Sequence, residues 1–165
     1  MFPLYLLAAQ GNLGLRRAKQ CEDFLSMACW LSTKMREQTT NIMMSQLNRL
    51  YGQLYALQGR HDMSLNSFAQ DVYCCSQEYG PRDVRTSLGF YNLGKVFVAQ
   101  GDMAKATSNY VVVTQVWLDA LMQAVLSLAP LHQGATLACN ELGRPHLPLG
   151  ALQLMEVCRQ EQPYI

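Results

Sequence analysis

Apolar positions in this chain recur three and four residues apart, the interval of a helix with one buried face. Phe68, Val72 and Cys75 form one such row, and Ala106, Tyr110, Val113 and Trp117 another. Between the rows stand residues that stop one helix and start the next. Gly59 and Gly101 sit where positive φ ends a helix cheaply, and Asp102 follows where a side-chain oxygen caps its successor. Gly80-Pro81 and Asp83 repeat that logic: a glycine stop, a proline that cannot continue the helix, and an acidic residue in the next first turn. The pattern predicts helices over 3–14, 17–36, 40–58, 61–79, 82–100 and 103–128. Ala129-Pro130 is expected to break the last one, and Gly143-Arg144-Pro145-His146-Leu147-Pro148 reads as a turn-rich linker. Two shorter helices, near 133–141 and 149–160, follow as caps. Tyr110, Val111, Val112 and Val113 are apolar all round a helix, which predicts burial on more than one side, under the caps or another chain.

The same frame occurs more than once. Gly94, Phe97, Gly101, Ala106 and Tyr110 match Gly52, Tyr55, Gly59, Ser64 and Phe68 in spacing, and Gln58-Gly59 recurs as Gln100-Gly101. A degraded copy places Ala9, Asn12, Arg16, Cys21 and Leu25 at the same stations, with the turn glycine lost. Ala9 to Gly52 is 43 residues and Gly52 to Gly94 is 42. Small, aromatic, glycine, small, aromatic is the tetratricopeptide signature, though the usual period is about 34. One added turn on each helix houses the surplus, giving helices of roughly 18 residues and about 27 Å. The expected fold is therefore all-α, a tetratricopeptide-like helical-repeat solenoid with long repeats of about 42 residues. Residues 1–128 supply three helix pairs, and 129–165 a linker and C-terminal capping helices. Packing is the chemistry of such a signature: the small residue lets the second helix approach, and the aromatic three positions on fills the gap beside it. A solenoid also needs caps. None precedes the first helix, so a partner is expected there, or residues upstream of this chain.

Composition narrows the function. The chain has 165 residues, and its 13 Lys and Arg against 12 Asp and Glu leave no cationic surplus to neutralise a phosphate backbone. Charged residues make up only 15%, well under the usual quarter, which suits faces covered by other chains. The opening Met1 to Ala9 lacks the basic start of a signal peptide and reads as a core helix. The longest apolar candidate, Tyr110 to Leu128, is interrupted by Thr114, Gln115, Asp119 and Gln123, so a soluble cytoplasmic protein is expected. Cys21, Cys29, Cys74, Cys75, Cys139 and Cys158 show no metal or redox spacing and are expected as buried reduced thiols. His61, His132 and His146 fall on turns or linkers without a Cys or carboxylate at ligand or triad spacing, His61-Asp62 marking a helix start. Phosphate-binding glycine loops are absent; Gly11 and Gly14 belong to the degraded repeat. The sequence therefore predicts no catalytic residue, no metal and no cofactor.

Binding in a groove is the remaining reading. First helices of each pair line the concave face, whose exposed positions are expected to be Gln10, Gln46, Arg49, Gln53, Tyr91 and Lys95. This polar, mildly positive set suits an extended peptide or a partner helix. Chaperone-type repeats clamp a C-terminal carboxylate with Lys, Arg and Asn; only Asn92 and Lys95 stand at such positions, and Gln53 sits where an Asn is usual. Met27, Met35, Met43 and Met44 gather at the first junction between pairs, to fill gaps or meet a partner.

One stretch carries more than the repeat signature. Tyr79-Gly80-Pro81-Arg82-Asp83-Val84-Arg85-Thr86-Ser87, then Gly89-Phe90-Tyr91 and Leu93-Gly94, resembles the repeat region of the zinc finger MYND domain-containing protein 12 family. Asp71-Val72-Tyr73, Val116-Trp117, Pro3-Leu4-Tyr5-Leu6-Leu7 and Leu13-Gly14-Leu15 extend the likeness over residues 3–121. The resemblance implies a non-catalytic subunit of the cilium or flagellum axoneme, a cytoskeletal scaffold or adaptor associated with a single-headed inner-arm dynein. Its implied partners are the inner-arm dynein heavy chain, a tetratricopeptide repeat protein 29-like subunit and doublet microtubule-associated proteins, with no nucleic acid and no membrane. The family's clustered finger cysteines have no counterpart here, so zinc binding is not carried over. A cytoplasmic kinesin-light-chain-like or chaperone-type peptide-binding adaptor is the alternative.

Overall fold

A computed structural model describes the backbone of residues 1–35 and 39–141 and the side chains as far as residue 127. The described chain is all-α: α1 (Phe2–Gly14), α2 (Ala18–Lys34), α3 (Asn41–Leu57), α4 (His61–Tyr79), α5 (Val84–Gln100) and α6 (Met103–Glu141). Side chains that cap the backbone set several of these starts. Thr40 Oγ1 accepts from the Met43 amide at 3.3 Å, Asp83 Oδ1 from the Arg85 amide at 2.8 Å, and Asp102 Oδ1 from the Lys105 amide at 3.1 Å. Asp83 thus stands just outside α5 as its cap, one position before the first turn.

Three turns, α1–α2, α3–α4 and α5–α6, share one geometry. Each turns on a residue of positive φ: Arg16 at 56°, Gly59 at 73° and Gly101 at 80°. In each, the next amide reaches back five residues: Arg17 to the Asn12 carbonyl, Arg60 to Tyr55 and Asp102 to Phe97, all at 2.9 Å. This is the closing bond of a Schellman-type helix end. Arg16 holds the shape without glycine, at a steric cost of about 1–2 kcal/mol.

Beyond the turns, small residues face rings. A Cβ placed on Gly52 would stand 2.6 Å from Cε1 of Phe68, and one on Gly94 would stand 2.6 Å from Cε1 of Tyr110. The ring filling the space above each glycine therefore comes from the second helix. Tyr55 and Phe97, expected to fill it, are half-buried beneath cations instead, Arg60 lying 5.1 Å from the Tyr55 centroid and Lys105 5.6 Å from that of Phe97. Their place three residues past the glycine turns them toward the helix end, where the turn's cation lies.

The main core joins the first three helices. Phe2, Leu6 and Ala9 of α1 meet Cys21, Leu25 and Ala28 of α2 and Leu47, Leu50 and Leu54 of α3. The opening apolar segment is thus a core helix. Met43 and Met44 pack against this cluster, while Met27 and Met35 are exposed. At the α4–α5 boundary a Cβ on Gly89 would collide with Val72, so a hydrogen there sets the approach of those helices.

The chain divides into two units, Met1–Leu121 and Met122–Ile165. Within the second, the described residues continue α6 as far as Glu141. The break expected at Ala129-Pro130 does not occur, and the separate helix expected at 133–141 is part of α6. Proline removes a single ladder bond and kinks a helix, and the bonds of the flanking turns suffice to carry it on. The linker at 143–148 and the helix at 149–160 lie outside the described residues, as do Cys158 and His146 and the side chains of Cys139 and His132. Two burial expectations are also corrected. Cys29 is exposed because it lies one position beyond Ala28, on the solvent side of α2, and Val111 is 46% exposed because nothing described covers that side of α6. By length and mean hydropathy of 1.3, Met103–Ser127 reaches the span of a bilayer, with only 6% of that window buried.

Candidate functional site

The segment from Tyr79 to Ser87 is fastened to itself. The Arg85 guanidinium grips the Asp83 carboxylate at 2.8 and 3.0 Å and lies 3.4 Å from the centroid of the Tyr79 ring. Thr86 donates its hydroxyl to the Gly80 carbonyl at 2.9 Å. Hydrogen bonds from the Arg85 side chain and amide hold the Asp83 carboxyl down to about 2. The contacts of Tyr79, Gly80, Asp83, Arg85 and Thr86 therefore serve the connection between α4 and α5.

The predicted concave residues separate into distinct environments. Gln10 on α1 and Gln46 on α3 are exposed. Tyr91 is 44% exposed, its ring 6.0 Å from that of Tyr110 and 5.6 Å from the Lys95 ammonium. Arg49 is committed inside the fold: its Nε and Nη2 donate to the two carboxylate oxygens of Asp71 at 2.8 and 3.0 Å. Asp71 is fully buried and also accepts from the Ser45 hydroxyl. Arg49 is thus a strut between α3 and α4, engaged by both oxygens of a buried carboxylate, and does not lie open for a partner.

Gln53 and Lys95 do come together. They line a groove of about 410 Å³ bounded by the end of α1, by α3 and by α5. Arg16, His61 and Asn92 add polar groups to it, and Leu57, Val96 and Ala99 add apolar surface. Among the described residues, no aspartate or glutamate lines it. Asn92 is 5% exposed, and among the described residues its Nδ2 has no hydrogen-bond partner; His61 Nδ1 is likewise buried and unpaired there. The spacing places Asn92 at a clamp position; Arg16, in the α1–α2 turn, and His61, the first residue of α4, enter the groove without a signal in the repeat frame. A second cavity of about 560 Å³, beside Arg82, Phe90 and Asp119, carries both charge signs and, among the described residues, no unpaired buried polar atom.

Burial pushes the Tyr51 phenol up to about 12, and it raises the Cys21 and Cys74 thiols, with Glu22 and Asp71 adding to the respective shifts. Raised thiols are poor nucleophiles at neutral pH. Among the described residues, no three His, Cys, Asp or Glu side chains converge as a metal site would require. The arrangement offers hydrogen-bond donors, acceptors and cations to a ligand. No model of a known protein family matches the sequence.

Proposed function

We propose that this chain is a tetratricopeptide-like helical-repeat scaffold of long period that acts without catalysis, by holding other proteins. The observation that carries the reading is the recurrence of one turn, at Arg16, Gly59 and Gly101, with the same positive φ and the same back-reaching bond. The glycine-to-ring contacts at Gly52 and Gly94 recur in the same frame. Apolar surface left open on α6, at Trp117, Leu118 and Leu121, fits a chain made to be covered by others.

The resemblance over residues 3–121 supports a place of action in the axoneme of cilia or flagella. There the chain docks or stabilises a single-headed inner-arm dynein, in contact with the dynein heavy chain, a tetratricopeptide repeat protein 29-like subunit and doublet microtubule-associated proteins. Affinity capture of the tagged chain from ciliary extract, with crosslinking, tests this. Recovery of a dynein heavy chain and a helical-repeat subunit supports it, and recovery of neither sinks it. The groove holding Asn92 and Lys95 favours a second reading, a cytoplasmic kinesin-light-chain-like or chaperone-type adaptor for peptides. Full retention of peptide binding by a chain that never enters the cilium selects that one.

A further inference from the structure

We infer that α6 pairs with the same helix of a second copy of this chain, as a two-stranded coiled coil whose seam runs along Val111, Thr114, Leu118, Leu121 and Val125. These positions follow one another at intervals of three and four, the a and d spacing of a heptad, with valine at two of the a positions and leucine at a d position. All five are exposed, the four apolar ones by 46% to 60%. Val116, on the far side of the helix from Leu118, is buried at 4% exposure. The helix therefore has two apolar faces, one closed by its own fold and one open, which is the pattern of a helix covered on both sides. The pairing goes beyond the scaffold reading and does not depend on the partners named there.

The chemistry of the open face assigns it to an identical helix. From Met103 to Ser127 the charged residues are Lys105 and Asp119, and both fall at b positions, off the seam. The flanking e and g positions, Gln115 and Met122 on one side and Trp117 and Ala124 on the other, are uncharged. Charges at those positions choose a coiled-coil partner, and a single sign there would repel a copy; this helix carries nothing that does so. Thr114, the one polar side chain of the seam, already donates its hydroxyl to the Tyr110 carbonyl at 2.6 Å, so covering it strands no donor. The seam with Trp117 and Met122 exposes on the order of 600 Å² of apolar side chain, against about 800 Å² a side in a standard stable interface. A contact slightly under that size gives a reversible dimer, with a dissociation constant of micromolar order.

Leu118 stands at the middle of the seam, so a two-fold axis brings its two copies together whichever way the helices run. Light scattering on the full chain should therefore show the mass rising from one chain to two, and no further, over about a hundredfold of concentration. Leu118→Cys should give a covalent dimer under mild oxidation, whereas Gln123→Cys, exposed on the same helix but off the seam, should give no more than the wild type with its native cysteines. Leu118→Glu should hold the mass at one chain, with circular dichroism unchanged because the side chain it replaces is exposed. A wild-type mass that stays at one chain, a mass that climbs past two, or equal linking of the two cysteine variants overturns the inference. Two further outcomes overturn it by giving the face to another occupant. One is a monomer that binds phosphatidylcholine vesicles and loses them in Leu118→Glu; the other is Leu118→Cys linking to a different protein of ciliary extract and never to itself.

Discussion

Gly52 lets the Phe68 ring lie where a methyl would be, so Gly52→Ala forces ring and helix apart. Overpacking of this kind costs about 1–3 kcal/mol, partly offset by about 0.5–1 kcal/mol of improved helix propensity. Urea denaturation should show a net loss of about 1–2 kcal/mol, and Phe68→Leu in the same chain should recover part of it. Arg16 presents the opposite case. Arg16→Gly removes a left-handed arginine and should raise stability by up to about 1 kcal/mol, while Gly59→Ala at φ 73° should lower it by a similar amount. Asp83 adds a pH dependence. Its folded value of about 2 lies below the ordinary 3.8, so its contribution is complete above about pH 4 and is lost as pH falls toward 2. Asp83→Ala should cost about 1 kcal/mol at neutral pH, and its denaturation midpoint should converge on that of the wild type near pH 2.

Helix ends through Gln100 follow the sequence expectation to within two residues. Single residues mark them: Gly59, Gly80-Pro81 and Asp83 act on the backbone they belong to, so their effect is visible without a partner. Arg49 was not legible in this way. Its role depends on Asp71, 22 residues away, and no periodicity reveals that the two meet inside the protein. Of the predicted concave face, Gln53 and Lys95 reached the groove, but the unpaired state of Asn92 arises from three helices at once. Pro130 misled because a proline's veto is local, whereas the helix around it is cooperative. The α3–α4 strut predicts an asymmetry. Arg49→Met strands a fully buried carboxylate and should cost about 3–5 kcal/mol, whereas Asp71→Ala frees an arginine already 22% exposed and should cost clearly less. Paired denaturation curves check this.

At the scale of the molecule, and among the described residues, the second helices of the two earlier pairs are buried at stations where α6 lies open. Ala28 and Ser32 on α2 and Asp71 and Cys75 on α4 are buried, while Trp117, at the station of Cys75 one period on, is 49% exposed. Leu118 and Leu121 beside it are about as open. Replacing both leucines with glutamate should leave the circular dichroism unchanged and lower the light-scattering mass of the isolated chain at high concentration; an unchanged mass would mean this face is not sticky. Asp71 bears on the molecule's assembly in another way. Along α4 a slide of one turn, about 5.4 Å, against α3 would take the Phe68 ring off Gly52 and the Ser64 hydroxyl off the Gly52 carbonyl. The carboxylate in the same row adds the heaviest penalty, because away from Arg49 and Ser45 it is a bare charge in a dry interface. The ion pair thus acts as an alignment key, making every misthreaded docking of the middle helices expensive and leaving one that closes.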